Sequence, residues 1–360
     1  MANVELKTDY AEACRRLEAW WHNDCLDRAA IAVTSPRSGS RSDPFPAPRD
    51  LQQQWLDPDY VLARFEYDAA RTFWGGEAIP KLFVNLGPGA MAAFLTDKYI
   101  LAPDTVWFPQ AVDCLAEVTE LRLLESNGYW QAVNRLTEEA VRVGKGKFRV
   151  SVTDLGGPTD VLSSLRRNVN LLFDLVERPQ EVRQARDHLL GIWFEAYRRL
   201  YAVTQKGQEG GASWLADWSP STHYPLQCDF SAMIGPKMFE ESVLPELQEQ
   251  ARVMDNSIYH LDGPDAICHL DLVLEIPELD AIQWVPGEGN PRPVEWMDLL
   301  KKVQKKGKAL WVYANAADVE RLCSELQPEG LLINVGCASE EQARELIKEV
   351  ERLSAKKGKA

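Results

Sequence analysis

The sequence predicts an α/β protein: a single (β/α)8 TIM barrel with an N-terminal helical extension. Eight short apolar runs of strand character alternate with helical patterns along the 360 residues, which indicates parallel strands joined by helical crossovers. No glycine-rich phosphate loop follows the first run, as it would in a doubly wound sheet. No linker divides the chain, so we expect one barrel over residues 29–355, a helical extension over 1–28 and a frayed basic tail over 356–360.

The eight predicted strands are apolar or β-branched runs that end in glycine or polar residues. They cover residues 29–35, 81–86, 148–154, 212–217, 257–262, 281–285, 309–313 and 330–335. Helical periodicity predicts helices over 10–22, 58–73, 160–173, 179–205, 236–253, 293–305, 317–325 and 340–354. Two connections, 87–116 and 218–235, exceed simple strand-to-helix loops, and the first is expected to form a lid over the barrel mouth.

Composition excludes several classes of protein. The net charge is −14 with no basic stripe before the tail, so nucleic-acid binding is not expected. No apolar run is long enough to cross a bilayer, and the N-terminus does not read as a secretory signal. The seven cysteines are scattered singly without a CxxC pair, which favours a reducing, cytoplasmic setting over a disulfide framework.

The run Ser-Ile-Tyr-His-Leu-Asp-Gly carries the strongest chemical signal. His260 and Asp262 alternate along one predicted strand and therefore share a face. Cys337 follows the last predicted strand, and imidazole, carboxylate and thiolate at strand mouths predict a three-ligand zinc site with one open position. Two alternatives stay open: a structural hydrogen-bonded pair, or an acid–base pair without metal.

Other polar or aromatic side chains lie at or near the ends of predicted strands. Asp154 joins His260 and Asp262 as a catalytic candidate, although a turn-forming role suits it equally well. The candidate substrate-binding residues are Asn85, Asp217, Trp214, Gln283 and Tyr313. The twelve tryptophans of the chain suit core packing, or else aromatic walls for a flat or cationic small molecule.

Three segments resemble the uroporphyrinogen decarboxylase-like superfamily, especially its corrinoid-linked branch of the methylcobamide:coenzyme M methyltransferase type. They are residues 234–245, Tyr-His-Leu-Asp-Gly at 259–263 and Gly-Cys-Ala-Ser-Glu-Glu-Gln-Ala at 336–343. The resemblance covers about residues 75–355 and implies a TIM barrel. In that branch zinc is bound by a His-x-Cys pair and a late cysteine. His260 and Cys337 match two of these ligands, whereas Asp262 stands in place of the other cysteine.

The resemblance implies a zinc-dependent methyltransferase that moves a methyl group between a corrinoid, carried by a partner protein, and a thiol or small methylated substrate. The arginine-rich N-terminal pattern of the decarboxylase branch is absent after the first strand, which disfavours porphyrinogen decarboxylation. A metal-free decarboxylase or lyase of the same superfamily is one alternative. A non-catalytic binding protein for a sugar or methylated amine is another. A homo-oligomer is compatible with all three functions.

Overall fold

A computed structural model describes residues 4–40 and 43–357, which form an α/β fold around a seven-stranded, mostly parallel sheet. The strands are β1 (Ala30–Pro36), β2 (Thr72–Gly76), β3 (Lys81–Phe83), β4 (Ile100–Leu101), β5 (Val106–Trp107), β6 (Arg149–Ser151), β7 (His223–Gln227), β8 (Asn256–Asp262), β9 (Ala281–Val285), β10 (Ala309–Ala314) and β11 (Leu331–Gly336). The helices are α1 (Tyr10–Trp21), α2 (Leu51–Leu56), α3 (Pro58–Ala70), α4 (Met91–Thr96), α5 (Leu115–Val118), α6 (Gly128–Gly144), α7 (Pro158–Arg166), α8 (Asn168–Glu177), α9 (Pro179–Thr204), α10 (Pro236–Ser242), α11 (Leu244–Val253), α12 (Leu270–Leu274), α13 (Met297–Lys305), α14 (Val319–Glu325) and α15 (Glu340–Lys357). Short 3-10 helices cover Asp229–Met233, Pro264–His269, Pro293–Trp296 and Ala316–Asp318.

The main sheet has the order β2-β1-β11-β10-β9-β8-β7. Its strands pair in parallel except β2, which runs antiparallel along β1. The register places His260 of β8 opposite Gln283 of β9, and Gln283 opposite Trp311 of β10. The strands β3 and β6 form a separate parallel pair, and β4 and β5 form an antiparallel one.

The strand ladders do not close into a ring. Within the described part of the chain, no ladder joins β3 to β1 or β6 to β7. Side-chain hydrogen bonds instead link β1 to the connection that precedes β3, and β7 to the segment that follows β6. Glu77, after β2, binds buried Arg28 at 2.7 Å and accepts a hydrogen bond from the Ile31 amide of β1 at 2.7 Å. The Tyr224 hydroxyl of β7 accepts from the Leu155 amide at 2.6 Å and lies 3.1 Å from the Thr153 carbonyl oxygen beyond β6. The structure therefore confirms the α/β class without showing a closed barrel.

Seven of the eight predicted strands coincide with β1, β3, β6 and β8–β11, although β3 and β6 are shorter than predicted. The prediction over 212–217 is wrong, because local hydrogen bonds fold that segment into a turn. Asp217 accepts from both the amide and the hydroxyl of Ser213, and the Leu215 amide donates to that hydroxyl. Such side-chain bonds compete with a strand ladder. The strand in this part of the chain is β7, inside the connection predicted over 218–235.

The sheet has two faces with different neighbours. The outer face carries Ile31, Tyr259, Ile282, Val312 and Ile333, which belong to the large apolar core shared with the helices. The inner face carries a smaller cluster, with Ala30, Ile258, Ala281, Trp311 and Leu332 among its members. Side chains alternate along each strand, so His260 and Asp262 lie on the same face as Ile258.

The predicted N-terminal helix is present as α1, and it covers one end of the inner face. Its Leu17, Trp20 and Trp21 belong to the inner cluster. Trp20 Nε1 donates to the Leu310 carbonyl of β10 at 3.1 Å, and Trp21 Nε1 donates to the Trp218 carbonyl at 2.9 Å. At the other terminus α15 continues to Lys357, and the rest of the predicted tail lies outside the described residues, as do residues 1–3 of the extension.

Candidate functional site

Three potential metal ligands converge where β7 and β8 end. His260 and Asp262 belong to β8, and Asp229 begins the 3-10 helix that follows β7. One ligand atom from each of the three residues lies within 4.8 Å of the others. We refer to Asp229, His260 and Asp262 as the carboxylate–histidine group. It lies at the carboxyl ends of parallel strands, the edge where α/β enzymes place their chemistry.

The His260 imidazole is held by two neighbours. Its Nδ1 lies 2.6 Å from Oε1 of Gln283, the residue opposite it on β9. An amide oxygen only accepts hydrogen bonds, so Nδ1 is the donor in this pair, and Nε2 is the ring nitrogen left to face a ligand. The Trp214 indole packs edge-on against the imidazole with ring centroids 5.0 Å apart. Gln283, predicted to bind substrate, therefore holds the orientation of the His260 ring.

Negative charge accumulates around this group. Desolvation raises the pKa of Asp229, and Asp262 raises it further, whereas His260 lowers it. Asp160 accepts hydrogen bonds from the amides of Asp229 and Phe230, at 3.1 and 2.9 Å. Burial, followed by the charge on Asp229, raises the pKa of the Asp160 carboxyl well above its usual range. The site thus holds more carboxyl groups than it has protein cations to neutralise them.

A cavity of about 270 Å³ adjoins the group. Its lining residues are Trp55, Phe83, Asn85, Pro88, Asp104, Thr105, Asp154 and Trp214. Three of them, Asn85, Asp154 and Trp214, are predicted site residues. Trp214 connects the cavity with the group, because the same ring contacts His260. Residues of the long connection after β3, Pro88 and Asp104 among them, form one side of the cavity.

Asp154 is the buried carboxyl group of the cavity, with only 9% of the residue exposed. Burial raises its pKa to about 6, and the charge on Asp229 adds to this, while the Gly156 amide and His260 lower it. A close backbone approach positions it. A Cβ on Gly157 would lie 2.1 Å from the Gln227 carbonyl oxygen, so only glycine lets this loop contact the end of β7.

The predicted substrate-binding role of Asp217 is not supported by its position. It does not line the cavity. It is 1% exposed and belongs to a buried network with Ser213, Lys81 and His223. Burial alone would raise its pKa, but His223 and Lys81 lower it to about 2. The turn that replaces the predicted strand brings Asp217 into this network, which we call the Asp217 network.

Of the predicted substrate-binding residues Tyr313 and Asn85, only Asn85 lines the cavity. Tyr313 is 46% exposed, packs edge-on against Trp311 at 4.3 Å and lies outside the cavity lining. Desolvation and then Asp217 raise the pKa of its phenol. Asn85 lines the cavity, and its Oδ1 also accepts a hydrogen bond from the Gly87 amide at 3.1 Å. Its side chain therefore shapes the loop after β3 as well as the cavity wall.

Cys337 does not join the carboxylate–histidine group, and Asp229 stands in its place. Cys337 belongs to the apolar core between sheet and helices, with Ile333 and Val335 of β11. Alternation along β11 directs odd-numbered residues outward, whereas His260 and Asp262 face inward. Burial raises the pKa of the Cys337 thiol, which disfavours the thiolate that binds zinc.

Asp229 and Gln227 are functional candidates that the sequence analysis missed. Gln227 lies opposite His260 in the register and is 6% exposed. Its Oε1 has no hydrogen-bond partner among the described residues. The signal in the sequence is the pair Gln227 and Asp229, which follows a short apolar run. Pro225 within that run makes it hard to recognise as a strand. Proline removes a ladder donor and is confined to edge strands, which is where β7 lies.

Comparison of the chain with known proteins identifies no family to which it belongs. No protein-family model matches the chain, and a search of curated proteins finds no significant match. Among the helices of the described residues, none combines the length and apolarity needed to cross a membrane. What is known of the site therefore rests on its own geometry.

Proposed function

We propose that the chain is a metal-dependent enzyme that acts on a small molecule at the carboxyl ends of an eight-stranded barrel. The convergence of Asp229, His260 and Asp262 within 4.8 Å is the observation that carries this proposal. Six parallel strands, β7–β11 and β1, support the barrel. The parallel pair β3 and β6 supplies the two further strands, in the chain order that a barrel requires.

The donor set fits a zinc ion. Two carboxylates and a neutral imidazole formally neutralise a divalent cation, and zinc binds both oxygen and nitrogen donors. Gln283 holds His260 with its Nε2 free, which is the arrangement that orients a metal-ligating histidine. The unpartnered amide oxygen of Gln227 lies next to His260 in the register and offers one further donor. A zinc ion held here would supply Lewis-acid activation of the substrate.

The residues around the group have separate tasks. Trp214 covers one side of His260 and also walls the cavity, so it excludes water from the imidazole. Asp154 holds or releases a proton near neutral pH, because its pKa is raised to about 6. Asp160 fixes the backbone at Asp229 through its two amide bonds. Together these contacts position the ligands and the cavity wall.

The reaction we propose is methyl transfer between a corrinoid, carried by a partner protein, and a thiol or small methylated substrate. The resemblance of Tyr-His-Leu-Asp-Gly and of residues 336–343 to the corrinoid-linked branch supports it. The group contains two carboxylates and no thiolate. Such a site is harder than the one in that branch, and this favours the small methylated substrate over the thiol.

A metal-free decarboxylase or lyase is the second candidate. Asp154 favours it, because a buried carboxyl group whose pKa is about 6 can exchange protons near neutral pH. The charge of His260 acts on that pKa, so acid and base would be neighbours. This reaction would need no zinc, and metal content therefore separates the two candidates.

The test is metal analysis of protein purified without added zinc, followed by variants of single ligands. We expect about one zinc per chain in the parent protein, as a single mononuclear site requires. His260→Ala and Asp229→Asn should lose the metal. Cys337→Ala is the matched control, and it should retain the metal because Cys337 lies in the outer apolar core.

Three results would contradict the proposal. A folded protein that is metal-free yet catalyses decarboxylation or elimination would favour the second candidate. Loss of metal in Cys337→Ala with retention in Asp229→Asn would restore the ligand set predicted from sequence. Retained ligand binding with no turnover under any corrinoid condition would instead indicate a binding protein.

A further inference from the structure

The cavity beside His260 has walls of two chemical kinds. Trp55, Phe83 and Trp214 supply aromatic rings, and Asp104 and Asp154 supply carboxyl groups. None of the eight lining residues is lysine, arginine or histidine. Its volume of about 270 Å³ lies just below the roughly 300–1,000 Å³ of pockets for drug-sized ligands. The occupant is therefore a small molecule.

Two of the aromatic walls are held in place. Trp55 Nε1 donates to the Ala102 carbonyl at 2.8 Å, which fixes the indole plane. Trp214 is held by its edge-on contact with His260. Its own Nε1 is buried without a hydrogen-bond partner in the described chain. Rings held before a ligand arrives lose little freedom on binding, as in the aromatic cages that receive quaternary ammonium groups.

From this combination we propose that the cavity binds a small methylated ammonium ion, which names the substrate class of the proposed function and rests on that function. The aromatic faces attract the positive charge, and the carboxyl groups neutralise it. An anionic substrate would meet the carboxyl groups of Asp104 and Asp154 in a lining that contains no lysine, arginine or histidine. A neutral substrate would leave the Asp154 carboxylate buried without a counter-charge.

The electrostatics of Asp154 are consistent with this assignment. Burial raises the pKa of Asp154 to about 6, which is the signature of a carboxyl group whose charge lacks compensation. A bound cation would lower that pKa again. Binding of an ammonium ion should therefore strengthen as the pH rises through about 6 and release protons as it occurs below that pH.

The experiment is a calorimetric titration of the full chain, with and without zinc, using choline and its neutral isostere 3,3-dimethylbutan-1-ol. The two ligands differ by one atom and one charge. We expect choline to bind at least about tenfold more tightly, since a desolvated cation–π contact is worth about this much. Asp154→Asn and Trp214→Leu should reduce choline affinity about tenfold, while Asp154→Asn leaves the isostere unchanged.

A charge control separates local from general effects. Asp298→Asn removes the same charge from an exposed position on α13 and should not alter choline affinity. Equal affinity for choline and the isostere, or no binding of choline to folded protein, would overturn the inference. Choline preference in a protein that never binds zinc would overturn the proposed metal-dependent function and keep the cation site. Zinc binding without choline preference would do the reverse.

Discussion

The molecule contains two groups of charged side chains, one buried and one partly open to solvent, whose charges are compensated in different ways. In the Asp217 network, Lys81 Nζ lies 3.5 Å and His223 Nε2 3.3 Å from the Asp217 carboxylate. These two partners lower the Asp217 pKa to about 2. At the carboxyl ends of the strands, the carboxyl groups of Asp154, Asp160 and Asp229 all have raised pKa values.

Under the proposed function, this difference separates a structural group from a functional one. The Asp217 carboxylate has Lys81 and His223 beside it and accepts hydrogen bonds from the Ser213 hydroxyl, so its charge is compensated within the protein. Asp229 and Asp262 have His260 as the only basic side chain of their group. Asp154 is the buried carboxyl group of this region. Buried charge without compensation costs stability and persists where a ligand supplies the missing charge. A metal ion and a cationic substrate are both ligands of that kind.

We expect the largest change in the free energy of unfolding from Asp217→Asn. Removing one partner of a buried ion pair costs about 3–5 kcal/mol, because Lys81 is left buried and unpaired. Burial already lowers the pKa of Lys81, and the loss of Asp217 would lower it further. Urea unfolding at pH 7 measures the change. Zinc content should be unaffected, since the network shares no residue with the ligand group.

The matched variant in the carboxylate–histidine group is Asp262→Asn. In metal-free protein it removes one of two neighbouring carboxylates and should leave the unfolding free energy unchanged or slightly higher. If Asp262→Asn destabilises metal-free protein as much as Asp217→Asn does, the contrast between the two groups fails.

The second largest effect is a pH dependence of the free energy of unfolding, which arises from Asp154. Its pKa rises from 3.8 to about 6 on folding, so the folded protein holds this proton more tightly than the unfolded chain does. The stabilising contribution is complete below about pH 4 and is lost as the pH rises through about 6. A shift of about two units corresponds to about 3 kcal/mol. In metal-free and ligand-free protein, Asp154→Asn should therefore gain about 3 kcal/mol over the parent between pH 4 and pH 7.

Urea titrations of both proteins at pH 4, 5, 6 and 7 measure this difference. A stability difference that does not change with pH would show that Asp154 is already compensated by the protein. In that case Asp154 and Asp217 would not differ in how their charge is compensated, and Asp154 would need no cation from a ligand.

The sequence was sufficient for the strands with regular alternation. The strands β8 to β11 begin and end within a residue or so of their predicted positions, because each is an apolar run bounded by turn residues. The pairing of His260 with Asp262 followed from the same alternation. The helix α6 was equally readable, since Trp130, Val133, Leu136 and Ala140 recur at helical spacing, but it was not predicted.

Cys337 shows a signal that was present and misread. Every second residue of β11, namely Leu331, Ile333 and Val335, faces the helices, and Cys337 continues this spacing just after the strand. The pattern therefore already places the thiol on the helix-covered face. The predicted zinc site considered only that Cys337 follows the end of a strand, and not which face of the strand its side chain shares. Asp217 and Asp229 were harder, because one depends on a turn closed by Ser213 and the other follows the proline-containing β7.

The smallest effect, and the one that tests the site most directly, is Gln283→Leu. The amide oxygen of Gln283 accepts the Nδ1 proton of His260 at 2.6 Å, and leucine keeps the volume while removing the acceptor. Without it the imidazole can rotate or carry its proton on Nε2, and loss of such an outer partner weakens metal binding about 10–100-fold. Competition with a zinc chelator measures the affinity. Gln250→Leu is the matched control, because Gln250 is equally buried on α11 and lies outside the ligand group. Equal zinc affinity in both variants would mean that Gln283 does not orient His260, and that the ligand group is less organised than the register of β8 and β9 indicates.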